Sequence, residues 1–530
     1  MRYILPLVLL MLLAYTIQES AVASEQRGGL DAKFLEASLL KQEGRLEEAA
    51  VILEQIKASA EDGYLHLKLA EIYREMDRPE SARAVLKEAL KKFRNPDITF
   101  ALAQLELYTF EDYGMAEMLL KDALEKERKT EYLYALADTY KLLNDTSSMI
   151  TVLDEIIEVE PSGRLYYERA TAYFKLGFDK KGVEDLERSF DQDQNISAVA
   201  ALADYYLKEE NVEKAIKYLS ILAEEKPNLL LPEIRLAEMY RKSEDREKAL
   251  EIFNKVLPKV DGKERLYVLN QIATLHYSMD NYEKAHETFM ELIEADPDKI
   301  KTYYSAGITA EMMEDFESAE DVYQRALDIR SDYPEVRKRL AFVLMRQEKY
   351  KEGLKVIVEI DETYRDVDFY RISGSLHRKM ENLDEAYLIL REGYENNPAS
   401  VEIALDLATV LEKQERYDEC FEVLKNSLEL NPDSPSLMNF LGYMYADLNI
   451  NLDESYTLIE KALSMEPDNP AYLDSMAWVL YRMEKYEEAY GYQLRALKGA
   501  PDEEEIREHM EAILERVDAD KTLDEILDEL

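Results

Sequence analysis

A series of small residues, here called the first ladder, recurs about every 34 residues through nearly the whole chain. A period of this length indicates a stack of similar helical units rather than a set of separate globular domains. Where the ladder requires a member between Ala116 and Gly182, the bulky Met149 stands instead. The small members are Ala49, Ala82, Ala116, Gly182, Ala215, Ala249, Ala285, Ala319, Gly353, Ala386, Cys420, Ser455 and Ala489.

Two further ladders define the unit that repeats. Small residues recur about one helix before the first ladder, and two helices approach closely only where the facing side chains are small. Prolines recur after the first ladder, and because proline lacks the backbone N–H that a helix needs, they predict where each second helix ends. The earlier small residues are Ala37, Ala70, Ala137, Ala170, Ala203, Ala237, Ala273, Gly307, Ala341, Gly374, Ala408 and Ala477. The prolines are Pro161, Pro227, Pro297, Pro398, Pro432, Pro467 and Pro501.

These ladders resemble the tetratricopeptide repeat, with its two small positions, its aromatic position and its terminal proline. The stretch that matches best, residues 439–502, begins NFLGYMYADLNINLDESYTLIEKALSMEPDNPAYLDSMAW and resembles exported bacterial members of the family. About fourteen repeats fit residues 30–503. The resemblance implies an all-α fold, a right-handed superhelical solenoid of helix-turn-helix repeats with a C-terminal capping helix.

The N-terminus has the pattern of a secretory signal peptide. Arg2 supplies a positive charge, residues 4–15 are almost wholly apolar, and residues 21–23 (Ala-Val-Ala) offer small side chains for cleavage. The apolar run is about 12 residues, shorter than the ~20 that span a bilayer as a helix. We therefore expect an exported protein of the bacterial periplasm or cell envelope, with an uncleaved N-terminal anchor as the alternative.

Irregular spacing suggests where the stack is divided. One extra residue lies near Asp112, and the interval from Ala249 to Ala285 is lengthened by the segment PKVDGK at 258–263. That segment is either a hinge between two arrays or a longer loop within one stack. Beyond the last repeat, residues 504–517 predict an amphipathic cap. The apolar residues of the acidic tail predict a short helix that packs back, with recruitment of a partner as the alternative. The predicted parts are a signal peptide at 1–23, a flexible segment at 24–29, arrays at 30–257 and 264–503, the connector at 258–263, and the cap with its tail at 504–530.

The charge and the cysteine content of the chain limit the kinds of ligand that it is expected to bind. The chain has 111 acidic and 66 basic residues and a net charge of −45. Such a surface repels phosphate backbones and anionic lipids, so we expect neither nucleic acid nor direct membrane binding beyond the N-terminal segment. Cys420 is the single cysteine, which rules out an internal disulfide and a thiolate metal cluster.

The sequence lacks the motifs that common catalytic and metal sites require. The five histidines form no metalloprotease motif, and no nucleophile-elbow or phosphate-loop pattern occurs. The acidic cluster at 191–195 begins like a calcium loop but has Ile196 and Leu202 where such a loop needs Gly and Glu. His66, His276 and His377 fall in inward columns. We therefore expect no enzyme, metal, cofactor or small-molecule substrate.

The resemblance implies that the first helix of each repeat lines a concave groove that binds other proteins or peptides. Aromatic and basic residues recur there, and Tyr, Trp and Arg dominate binding hot spots. An alternative interpretation is that Tyr fills gaps between repeats and that the helix dipole alone favours Lys and Arg near helix C-termini. The candidate partner-binding residues are Tyr134, Tyr167, Tyr267, Tyr277, Tyr304, Phe342, Arg346, Arg378, Tyr443, Trp478, Tyr481 and Arg482.

A repeat array without catalytic motifs predicts a scaffold or adaptor. The resemblance to exported members implies a role in envelope assembly, secretion, pili or polysaccharide export. Two alternatives stay open: a regulatory or anchoring subunit of an envelope enzyme, and a carbohydrate-binding solenoid that uses the same aromatic surface.

Overall fold

A computed structural model describes residues 29–59, 63–517 and 522–529. The predicted signal peptide, all but the last residue of the segment 24–29, and Leu530 lie outside the described residues. Within that range every regular element is a helix and no strand occurs. The all-α prediction is confirmed. None of the helices in the described ranges is both long enough and apolar enough to cross a membrane.

In chain order, helices α1 to α28 alternate as the first and second helices of successive pairs, and α29 and α30 follow them. The helices are α1 (29–42), α2 (Leu46–Ile56), α3 (Tyr64–Glu75), α4 (Pro79–Leu90), α5 (Pro96–Tyr108), α6 (Tyr113–Lys126), α7 (Thr130–Leu142), α8 (Thr146–Val159), α9 (Gly163–Lys175), α10 (Asp179–Asp193), α11 (Ile196–Lys208), α12 (Val212–Glu225), α13 (Leu230–Lys242), α14 (Arg246–Val256), α15 (Gly262–Ser278), α16 (Tyr282–Ala295), α17 (Ile300–Met312), α18 (Phe316–Ile329), α19 (Pro334–Arg346), α20 (Tyr350–Ile357), α21 (Val367–Lys379), α22 (Leu383–Asn396), α23 (Val401–Lys413), α24 (Tyr417–Leu430), α25 (Pro435–Asp447), α26 (Leu452–Met465), α27 (Pro470–Arg482), α28 (Tyr486–Gly499), α29 (Glu504–Leu514) and α30 (Leu523–Glu529).

The pair α11/α12 illustrates why these residues form two packed helices. Ala203 and Ala215, one from each small-residue ladder, are 1% and 0% exposed where the helices meet. Beside them the rings of Tyr206 and Tyr218 stack at 5.7 Å between centroids. Asn211 caps α12 by accepting the backbone N–H of Lys214, which satisfies a donor that the first turn leaves unpaired. The small ladders therefore bring the helices together and larger apolar side chains fill the space around the contact.

The turn inside each pair depends on one residue with a left-handed backbone. In the turn after α9, Gly177 has φ of 77°, and the N–H of Phe178 donates to the carbonyl of Tyr173 at 2.9 Å, which closes the helix end. The same conformation recurs with φ between 54° and 78° in the other pairs. The residues are Gly44, Asp77, Glu111, Asn144, Gly177, Glu210, Glu244, Asp280, Glu314, Glu348, Glu381, Glu415, Asn449 and Glu484.

The described residues divide into two compact units, unit 1 ending at Ile252 and unit 2 beginning at Phe253. In unit 1 a continuous apolar cluster extends from Ala70 to Leu165 across neighbouring pairs, and in unit 2 another extends from Leu269 to Leu344. Stacking buries the apolar faces that a single helix pair would leave exposed. The connector at 258–263 contains the end of a 3₁₀ turn, Leu257–Lys259, and the first residues of α15. Its role as a hinge stays a prediction.

The C-terminal cap is confirmed. On α29, Ile506, Met510 and Ile513 are 6%, 0% and 0% exposed, so this helix covers the apolar end of the last pair. On α30, Ile526 is 3% exposed and belongs to the same apolar cluster as Met510. The short helix predicted in the acidic tail therefore packs back onto the cap.

Candidate functional site

The first helices α17, α19 and α21 of unit 2 line a groove with a volume of about 350 Å³. Tyr304 and Phe342, two of the candidate residues, form part of its wall together with Met345 and Ile372. Both aromatic side chains are half-buried, and Tyr304 stacks on Tyr333 with 6.3 Å between ring centroids. The groove thus presents rigid aromatic faces that still reach solvent.

The cations of this groove are held by carboxylates of the chain itself. Lys338 lies 2.5 Å from Asp366 and the Nε of Arg371 lies 2.8 Å from Asp406.

Arg339 lies 3.4 Å from Glu311, which also accepts the hydroxyl of Tyr323 at 2.5 Å. Burial raises the pKa of Glu311 although both partners bond to it. These pairings fix the polar groups of the groove before any ligand arrives.

The other candidates of unit 2 before α25 lie on the first helices α15, α19 and α21. Arg346 is exposed and its guanidinium lies 4.8 Å from the ring of Phe316. Tyr267 is 40% exposed. Tyr277 is half-buried and packs edge-on against Tyr282 at 5.6 Å, and Arg378 is half-buried near the end of α21. None of these four lines the groove at Tyr304 and Phe342.

Of the four candidates near the C-terminus, Tyr443 and Trp478 contact the cap helix, and the other two contact Trp478. Trp478 is only 9% exposed, with the ring of His509 stacked on it at 3.9 Å. Tyr481 stacks on the same indole at 4.9 Å, and the guanidinium of Arg482 lies 4.7 Å from it. A cap helix that covers this indole leaves little of it for a partner.

The cap is also held by polar contacts that the repeat pattern did not reveal. Tyr443 donates its hydroxyl to Glu505, and burial together with that carboxylate raises the pKa of Tyr443. His509 lies 2.9 Å from Asp474, which also accepts the amide of Gln493 at 2.6 Å. These bonds join residues far apart in sequence, so spacing along the chain gives no signal for them.

In unit 1, the first helices α7, α9 and α11, together with the start of α8, surround a second cleft of about 520 Å³. Tyr167 lines it, whereas Tyr134, which is 41% exposed, does not. Met149 and Lys141 also line the cleft. The sequence identified Met149 as an irregularity and not as part of a site.

The three histidines of the inward columns and the single cysteine, which could suggest catalysis or metal binding, lie in or at the edge of the core. His66 and His276 are 0% and 8% exposed, and burial lowers the pKa of both. Burial likewise lowers the pKa of His377, which is half-buried. Cys420 is 0% exposed between its two helices, and burial raises the pKa of its thiol to about 12. Among the described residues no group of three or more His, Cys, Asp or Glu side chains is placed to hold a metal ion.

Comparison with known structures finds other repeat proteins. The chain is similar at 16% identity to the Cut9–Hcn1 hetero-tetramer of APC/C, covering 86% of this chain and 96% of that one with a TM-score of 0.37. It is similar at 13% identity to Naa15/Naa10 bound to HypK-THB, covering 94% and 92% with a TM-score of 0.34. A third match, at 18% identity, is MamA from Desulfovibrio magneticus RS-1, covering 31% and 92% with a TM-score of 0.28. Likenesses this distant support no comparison of function.

Comparison with models of protein families identifies the family to which the chain belongs. Models described as tetratricopeptide repeat match residues 40–105, 130–162 and 222–500. The last of these ranges alone spans more than half of the chain, and its helices alternate as first and second helices in the way that the repeat ladders predict. The chain therefore belongs to the tetratricopeptide-repeat family.

Proposed function

We propose that this protein is an exported, non-catalytic adaptor that binds an extended segment of a partner protein in the unit 2 groove at Tyr304 and Phe342. Tetratricopeptide-repeat arrays generally mediate protein–protein interaction, which supports the binding role. The single observation that carries the choice of site is a groove of about 350 Å³ in which half-buried aromatic rings face solvent among fixed charges.

The chemistry of the groove suits a polypeptide. An apolar side chain of the partner would cover Tyr304 and Phe342, and such aromatic anchors contribute most of the binding energy of many interfaces. The backbone of the partner offers N–H and C=O groups to the paired carboxylates and cations around them. Because Lys338, Arg339 and Arg371 are already held by carboxylates, binding would cost little additional side-chain ordering.

The proposed setting is the bacterial envelope. The charged, apolar and small-residue regions at 2–23 support export, and a net charge of −45 supports solubility of a long repeat array outside the cytoplasm. Envelope assembly, secretion, pili and polysaccharide export are the processes we propose. Cell fractionation of the full-length chain tests this part: recovery in the periplasmic or envelope fraction is expected, and recovery only in the cytoplasm would contradict it.

The groove is tested by capture of partners from envelope extract. Full-length protein and a Tyr304→Ala/Phe342→Ala variant are compared, and Tyr364→Ala is the matched control because that tyrosine is 60% exposed outside the groove. We expect the double variant to lose the captured protein, with Kd rising by roughly 30-fold when a hot spot is truncated. Equal capture by wild type and double variant would refute the assignment. Circular dichroism confirms that each variant is folded.

A further inference from the structure

The cleft in unit 1 differs in chemistry from the groove in unit 2. Its apolar wall is formed by Tyr140, Met149, Tyr167 and Ala172. In the sequence ladder Met149 replaces the small residue of the second helix, and this side chain is only 8% exposed where it borders the cleft. The irregular repeat is therefore the repeat that contributes apolar surface to a cleft of about 520 Å³, a size that accommodates a side chain with its flanking backbone.

The rim of this cleft carries excess positive charge. Lys141, Arg164 and Lys175 line it, and Glu168 is the acidic residue among its lining residues. Arg164 pairs with Glu168 at 3.2 Å. Lys175 donates to the neutral side chain of Asn144.

Within the described residues, Lys141 and Lys175 have no carboxylate at ion-pair distance, in contrast to the cations of the unit 2 groove. Both side chains are exposed. Two ammonium groups without a carboxylate partner thus lie beside the apolar wall of the cleft.

We propose that the unit 1 cleft is a second binding site, whose ligand is a short acidic polypeptide segment with one apolar side chain. The apolar side chain would contact Met149 and Tyr167, while carboxylates on either side of it would meet Lys141 and Lys175. A nucleic acid also carries negative charge, but the strongly acidic surface of the rest of the chain would repel a continuous phosphate backbone. A short peptide places its charges only at the cleft.

The test uses the full-length protein and fluorescein-labelled nonapeptides of Asp and Glu with a central Leu, Phe or Met, measured by fluorescence anisotropy. One companion peptide replaces the acidic residues by Asn and Gln, and another replaces the central residue by Gly. The protein variant is Lys141→Glu/Lys175→Glu. The matched control is Lys180→Glu, since Lys180 is exposed on α10 and does not line the cleft.

At least one acidic peptide with an apolar centre is expected to bind the wild type. Both companion peptides and the double charge reversal should raise Kd by roughly tenfold or more, because each lost exposed ion pair contributes modestly and two reversed charges also repel. Lys180→Glu should leave Kd unchanged, and binding should weaken with added NaCl. Failure of every acidic peptide to bind, equal binding of the Asn/Gln peptide, or unchanged binding to the folded double variant would overturn the proposal.

Discussion

Replacing glycine by alanine at two exposed positions should change stability in opposite directions. Gly177 lies in the turn between α9 and α10 with φ of 77°, and Gly491 lies within α28. At both positions an added Cβ would meet no atom within 4 Å. Steric clash therefore plays no part in the comparison. The backbone conformation alone decides whether the free energy of unfolding falls or rises.

The magnitudes follow from that conformation. An L-residue in the left-handed region costs about 1–2 kcal/mol, so Gly177→Ala should lower the free energy of unfolding by about that amount. Alanine is favoured over glycine within a helix by about 1 kcal/mol, so Gly491→Ala should raise the free energy of unfolding. The same chemical change is thus expected to give results that differ by roughly 2–3 kcal/mol.

Hydrogen exchange measured by mass spectrometry is the suitable assay, because long repeat arrays do not unfold as one cooperative unit. Protection of backbone amides in α9 and α10 should fall in Gly177→Ala, and protection in α27 and α28 should rise in Gly491→Ala. Urea unfolding of each variant supplies the independent check. If Gly177→Ala were neutral or stabilising, the left-handed turn would be wrong, and with it the account of how each pair reverses direction.

Three other predictions concern charge and the cap. Burial, together with Glu505 and Asp447, raises the pKa of Glu412, so the contribution of Glu412 to stability should fall as pH rises from the unfolded value near 4.5 toward the folded value. Glu412→Gln should therefore be the more stable chain at about pH 7 and lose that advantage at about pH 3 in urea titrations, and an equal difference at both pH values would contradict this. His509→Ala should expose Trp478, the single tryptophan of the chain, and shift its fluorescence to longer wavelength; an unchanged spectrum would mean that α29 does not cover it. Arg169→Ala removes the nearer cationic partner of Asp185, at 2.6 Å, and leaves only the exposed Arg188 at 3.8 Å from a carboxylate whose side chain is 4% exposed. The loss should cost up to about 3–5 kcal/mol of unfolding free energy. The control Arg164→Ala, whose side chain is 84% exposed, should be nearly neutral, and equal effects of the two would refute the burial argument.

The sequence predicted the helix pairs because close packing leaves a local signature. Residues such as Ala203 and Ala215 must be small wherever two helices cross, and that requirement recurs at a fixed spacing. Cys420, a member of the small-residue ladder, is 0% exposed as that position requires, and the apolar side of α29 forms the predicted cap. In each of these cases the residue type at a given position of the repeat indicates directly whether that position packs against another helix.

The details of the candidate sites depend on contacts between residues far apart in sequence. Nothing in the spacing pairs Trp478 with His509 or Tyr443 with Glu505, so the contacts of the cap with these candidates could not be foreseen. The recurrent left-handed turns were also missed, because many of them use Glu, as at Glu348 and Glu415, where glycine or asparagine would have been the usual signal. Charge compensation around Lys338 and its absence around Lys141 likewise appear only in three dimensions.

We propose above that a polypeptide partner binds the first-helix surface of unit 2. The most direct test of this proposal replaces Phe342 by a photo-crosslinking amino acid in the full-length protein, with the same replacement at Leu388, which is 65% exposed on the second helix α22. Crosslinking in envelope extract followed by mass spectrometry should join position 342 to an extended segment of one protein and leave position 388 without that product. Equal or exclusive crosslinking from position 388 would contradict the account.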